Sequence, residues 1–197
     1  MKNDGTIGVN SGTVKENTEN GDVGSAWGNS VIEVNNGHVN GNYGEIDVNN
    51  GVVEKNWVIV GVEAPMAVGH IGENNGEVVS SLGDMETNKG TIQENGGTLS
   101  VNEGTIETNT EYGTVNTNAS KGTVETNSGT IKSNEGSVNT NTESGTIEKN
   151  TENGAVENNE KNGAIESNEG YVRYNYGEIT ENASKGEINY NQGTVRS

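Results

Sequence analysis

One hydrophobic–polar pattern recurs along nearly the whole chain. From Gly90 to Asn153 it reads GTIQENG, GTLSVNE, GTIETNTEY, GTVNTNASK, GTVETNS, GTIKSNE, GSVNTNTES, GTIEKNTEN. Each unit opens with Gly, then a small or polar residue, Ile or Val, two mostly polar residues and Asn. A spacer of one or three residues completes units of seven or nine. Counting outward from Gly90 places 25 anchor glycines between Gly5 and Gly193. Two residues after the anchor, 23 of 25 positions hold Val, Ile, Leu or Met, the exceptions being Ser30 and Glu63. Five after it, 20 of 24 hold Asn, a register that a disordered chain has no reason to keep.

The unit is too short for a helix-based repeat, and its β-branched Ile, Val and Thr favour short strands. Gly is expected to supply positive φ at a corner, with Asn tolerating the left-handed region and bonding nearby backbone. Stacked in parallel, the units align aliphatic on aliphatic inside and Asn on Asn at the corners, where amides bond along the stack. The pattern therefore predicts an all-β fold, a parallel β-solenoid over residues 1–197 with rungs ~4.8 Å apart. Right-handedness is the expectation for that class.

Three or four units per coil are expected. Three-unit sums from Gly90 to Gly186 are 23, 23, 27 and 23 residues, and four-unit sums are 32, 32 and 32. The segment 112–127 echoes 176–191 eight units later, a spacing divisible by four or two but not three. A rival array of hairpins, turning at pairs such as Asn50-Gly51 and Asn153-Gly154, would want alternating apolar residues that most units lack.

The pattern is loosest over 51–82. Residues 57–68 carry the densest apolar run and Pro65, and predict a bulged coil, or a loop over the solenoid, or an apolar contact ridge including Trp57 and Met66. The unit at Gly28 slips by two, putting Ile32 and Asn35 in the aliphatic and Asn roles. Residues 170–197 gather Tyr171, Arg173, Tyr174, Tyr176, Tyr190 and Arg196, expected as a C-terminal cap or an interface that could form a homodimer.

Composition sharpens this picture. Of 197 residues 29 are acidic and 11 basic, for a net charge of −18, with 27% apolar and neither Phe nor Cys. Taken alone those figures describe a disordered chain; with the repeat they describe a narrow bore with charge outside. Disulfides and cysteine metal sites are excluded. No apolar run reaches membrane-spanning length, and Met1-Lys2-Asn3-Asp4-Gly5 has no signal-peptide character, so no membrane association is expected.

No catalytic constellation emerges. His38 and His70 lie more than 30 residues apart, each expected alone beside a corner, and no nucleophile, base and orienting acid assemble. The calcium-roll motif would need Asp where this chain has Asn, and only Asp4, Asp22, Asp47 and Asp84 exist. No metal, cofactor or catalytic residue is assigned.

The acids instead fall at regular places. Glu107, Glu125, Glu148, Glu157 and Glu166 directly follow the aliphatic residue, and Glu103, Glu111, Glu135, Glu143, Glu152, Glu160 and Glu169 sit in spacers. Both places should face outward. Such rows keep a rod soluble, and they can also imitate nucleic-acid phosphates. In this the chain resembles the acidic pentapeptide-repeat proteins that mimic DNA, in architecture only, since their A-[DN]-L-x-x unit is absent. Small size, a lack of secretion signal and an absence of chemistry suit a non-catalytic inhibitor in the host cytoplasm, for example one encoded by a phage or other mobile element. Its expected partner is a basic nucleic-acid-binding protein, with no direct binding of nucleic acid. The alternative is a structural or adhesive β-helix of a phage tail fibre or bacterial surface, extracellular or in the virion, binding glycan or protein.

Overall fold

A strand that buries one aliphatic residue and one Asn cannot stand alone; its backbone groups need strands above and below. The computed structural model, which describes residues 1–59 and 67–196, shows how the chain supplies them. The described residues form β-strands and turns with no helix, and most strands run from the residue after an anchor Gly to the unit's Asn, as in Thr105–Asn109 and Thr130–Asn134. The chain divides into two compact units, Met1–Thr98 and Leu99–Ser197. Each is a parallel β-solenoid.

In the C-terminal unit, Thr105–Asn109 pairs with Thr123–Asn127, and Thr114–Asn118 with Thr130–Asn134. Each strand pairs with the next but one. The coil thus holds two units, correcting the expectation of three or four. In this register the aliphatic residue and the Asn of each unit stack on those of the unit two further along, as Ile131 does on Ile147 and Asn134 on Asn150. One sheet carries Val115, Ile131, Ile147, Ile165 and Ile179, the other Ile106, Val124, Val138, Val156 and Val172, all buried. Burying each such side chain is worth roughly 1.5–3 kcal/mol.

The Asn columns form two ladders. Asn102, Asn118, Asn134, Asn150 and Asn168 each donate from Nδ2 to the next Oδ1, ending on Asn182, at 2.7–2.8 Å. A second ladder climbs through Asn127, Asn141, Asn159, Asn175 and Asn191. The amides also reach backbone carbonyls, as Asn159 does to Gly163 at 3.1 Å. Burying these polar groups is tolerable because each is satisfied.

The N-terminal unit repeats this plan. Its first ladder runs Asn3, Asn17, Asn35, Asn49, Asn74, Asn88. In the other, Ser81 stands in for Asn and accepts from Asn56 at 3.2 Å, while buried Ala26 interrupts the series. The slip at Gly28 is as expected: Ile32 and Asn35 align with Val14 and Asn17. Within 51–82, Val52–Asn56, His70–Asn74 and Glu77–Ser81 keep the strand pattern, and residues 60–66 lie outside the described residues. Val52–Asn56 and His70–Asn74 complete one coil, and between them Val58–Ile59 pairs antiparallel with Ala67–Val68. The hairpin array is overturned, since Asn50-Gly51 turns a parallel coil, with Asn50 N–H donating to Asn35 O.

The anchor glycines serve a different purpose from the one expected. Among the described residues positive φ occurs only at Gly28 and Asn162. What most anchors supply is space. A Cβ on Gly129 would lie 2.2 Å from Gly113 O and 2.3 Å from Thr110 O, so the corner admits only hydrogen there.

Candidate binding surfaces

Within a strand such as TIETN the third residue, Glu107, points to solvent and the fourth is half-buried against its neighbours. Register then sorts the twelve sequence-predicted acids. Glu107, Glu125 and Glu157 follow the aliphatic residues of one sheet, and Glu148 and Glu166 those of the other. Glu103, Glu135, Glu152 and Glu169 lie in the spacers of one corner, and Glu111, Glu143 and Glu160 in those of the opposite corner. The structure therefore distributes them over four sides of the coil and does not gather them on one. Glu107 and Glu125 are rung neighbours, as are Glu148 and Glu166, so like charges stand about one rung, ~4.8 Å, apart.

Some of this charge is neutralised internally. Arg173 reaches Glu157 at 2.6 Å, Lys185 reaches Glu152 at 2.6 Å, and Lys149 reaches Glu169 at 2.9 Å. The other nine acids make no ion pair among the described residues. Residues 99–197 hold 15 acids and seven bases. Spread over about six coils at ~4.8 Å, this is one net negative charge per ~3.6 Å, about half the density of duplex DNA.

The C-terminal aromatic residues do come together. Tyr171 and Tyr174 lie on the sheet that carries Glu157, one rung beyond it. Tyr174 and Tyr176 approach Tyr190 with ring centroids 6.1 and 6.2 Å away, and the Arg173 guanidinium sits 5.1 Å from the Tyr174 ring. Gln192 donates to the Tyr190 hydroxyl. Tyr176 and Tyr190 remain exposed at the side of the cluster. Trp57 belongs to the N-terminal unit, half-buried with Lys55 Nζ 5.2 Å from its ring centroid. Met66 lies outside the described residues. Trp27 is exposed and stacks on Tyr43 at 4.7 Å.

The histidines are not alone, contrary to the expectation from spacing. His38 Nδ1 is 3.1 Å from Asp22 and its Nε2 is 3.1 Å from Glu54, each partner sixteen residues away along the chain. His70 Nε2 lies 3.8 Å from Glu86. A two-unit coil brings such residues to neighbouring rungs, and that register was the missing signal. The hydrogen bond to Asp22, opposed by partial burial and aided by Glu54, raises the His38 pKa above its ordinary 6.5. The folded state thus holds the proton more tightly than the unfolded chain. The resulting stabilisation is complete below about pH 6.5 and is lost as pH rises through the folded value. His38→Gln should flatten the stability profile between pH 6 and 8 in urea titrations, by under ~1 kcal/mol because the trio is exposed. An unchanged profile would refute the pairing.

Among the described residues no group of three or more His, Asp or Glu side chains is placed to hold a metal. None of their secondary structure is a helix long and apolar enough to cross a membrane. No protein-family model, curated protein or solved structure matches the chain.

Proposed function

We propose that the chain is a non-catalytic acidic binding protein, a decoy that occupies the basic channel of a nucleic-acid-binding protein in the host cytoplasm, of the anti-defence kind carried by phages and mobile elements. The observation that carries this reading is the charge lattice. Carboxylates without internal partners stand at rung intervals on a backbone fixed by two amide ladders, so a basic groove meets preorganised charge at little entropic cost. A solenoid unit with acids on several sides suits a channel that surrounds its ligand, as it would a duplex.

The test is competition. The intact chain, immobilised, should retain a basic protein from host lysate at about 50 mM salt and release it near 0.5 M. Duplex DNA should displace the same protein. Glu107→Gln, Glu125→Gln, Glu148→Gln and Glu166→Gln together should weaken retention roughly tenfold or more while leaving the fold intact. Retention that ignores both salt and DNA would sink the proposal. A second reading, a structural or adhesive solenoid binding glycan or protein, is supported by the solvent-open Trp27–Tyr43 stack, which core packing does not require.

A further inference from the structure

Sheet pairing shifts register between Trp27 and Val31. Gly28, at the start of this bulge, has φ +59°, a conformation that glycine adopts freely. The bulge opens a cavity of about 420 Å³, within the size range of small-molecule sites. Gly28, Asn29, Ser30, Gly44, Glu45, Val68 and His70 line it.

Three features distinguish this bulge. Ser30 is completely buried, yet its hydroxyl has no partner in the protein, and buried hydroxyls are ordinarily paired. Gly44 is tailored to it, since a Cβ there would come 2.5 Å from Ser30 Oγ and 2.6 Å from Ser30 O. Trp27 and Tyr43, the residues immediately before Gly28 and Gly44, pair across adjacent rungs and stack with planes 23° apart. An aromatic pair, one member open to solvent, is therefore next in sequence to two of the residues that line the cavity.

The chemistry narrows the ligand. None of the lining residues is Lys or Arg, and the protein is strongly negative, so phosphates and carboxylates are disfavoured. The lining offers a carboxylate at Glu45, an imidazole at His70 on the next rung and an amide at Asn29. A neutral ring with an apolar C–H face and several hydroxyls fits aromatic surface and polar groups together. We propose that this cavity binds one pyranose unit of a neutral oligosaccharide. Trp27 provides the stacking surface, Glu45 accepts from a hydroxyl pair, and His70 and Asn29 complete recognition. The site rests on the second functional reading and is independent of the acidic rows.

The only tryptophans are Trp27 and Trp57, so in the full chain carrying Trp57→Phe the fluorescence reports on Trp27 alone. Maltotriose, cellotriose, mannotriose and tri-N-acetylchitotriose are the probes. At least one should change that fluorescence saturably at millimolar concentration or below. The affinity should vary less than twofold between about 50 and 500 mM salt, because the ligand is uncharged. Glu45→Ala, an exposed change, should weaken binding at least tenfold. The site is refuted if none of the four gives a saturable response up to about 20 mM, or if Glu45→Ala binds undiminished. Neither outcome affects the salt- and DNA-dependent retention that tests the decoy.

Discussion

Replacing Asn134 by Leu should cost the C-terminal unit about 4 kcal/mol of unfolding free energy, although Leu is the more hydrophobic residue. Asn134 is fully buried. It accepts from Asn118 Nδ2 at 2.8 Å and donates to Asn150 Oδ1 at 2.8 Å. Leu leaves a donor below and an acceptor above without partners in the interior, each worth about 1–3 kcal/mol. Its apolar gain is bounded by a corner shaped for a planar amide. Asn134→Asp separates hydrogen bonding from shape. A carboxylate still accepts from Asn118 but faces the Asn150 oxygen with no proton, so burial holds its pKa up. The Asp variant should therefore be most stable at acid pH, where its carboxyl can donate, and lose stability as pH rises through the raised folded pKa. Asn139→Leu, exposed on a strand, should change stability by under ~0.5 kcal/mol. Urea unfolding of the three variants at pH 4 and pH 7 decides the matter; equal costs for Asn134→Leu and Asn139→Leu would show that the ladder is incidental.

The columns were legible because register is strict. Ile147 between Ile131 and Ile165, or Asn150 between Asn134 and Asn168, follows once units stack in any number per coil. That number was not legible from unit length, since G-x-[IV]-x-x-N is compatible with two, three or four sides. Two weaker signals carried it. Val124, Ile131, Val138, Ile147, Val156, Ile165, Val172 and Ile179 alternate strictly, placing Ile on one sheet and Val on the other. Charges of opposite sign recur sixteen residues apart, at Glu73/Lys89, Glu157/Arg173 and His38 with both its acids. In a chain with 29 acids such pairs look accidental until the coil length is known. The acids were correctly expected to face outward, but their division among four sides depends on the same missing number. The cavity beside Trp27 was hidden for another reason. Ser30 and Gly44 matter through a contact between rungs, while in the sequence Ser30 is only a lapse in the pattern.

Gly129→Ala should cost about 3–5 kcal/mol, and Gly12→Ala almost nothing, though both glycines open a repeat unit. The usual account of a corner glycine, a left-handed backbone, predicts similar strain at both. Neither has positive φ. The difference is the neighbouring rung. A Cβ at Gly129 meets two backbone carbonyl oxygens, from Gly113 and Thr110, at 2.2 and 2.3 Å, while one at Gly12 meets nothing within 4 Å. Carbonyl oxygens held in a ladder cannot swing aside as a side chain would. Relief requires the corner to open by about 1 Å against a rung spacing of ~4.8 Å, which breaks the bond from Thr130 N–H to Gly113 O as well as the amide contact from Asn109 to Gly113 O. At Gly12 the same substitution only restricts the unfolded chain, for a gain of up to ~1 kcal/mol. Opposite signs in thermal unfolding of the two variants are the expected result. Equal destabilisation would mean that backbone conformation, and not the approach of successive rungs, selects the glycine that punctuates every coil.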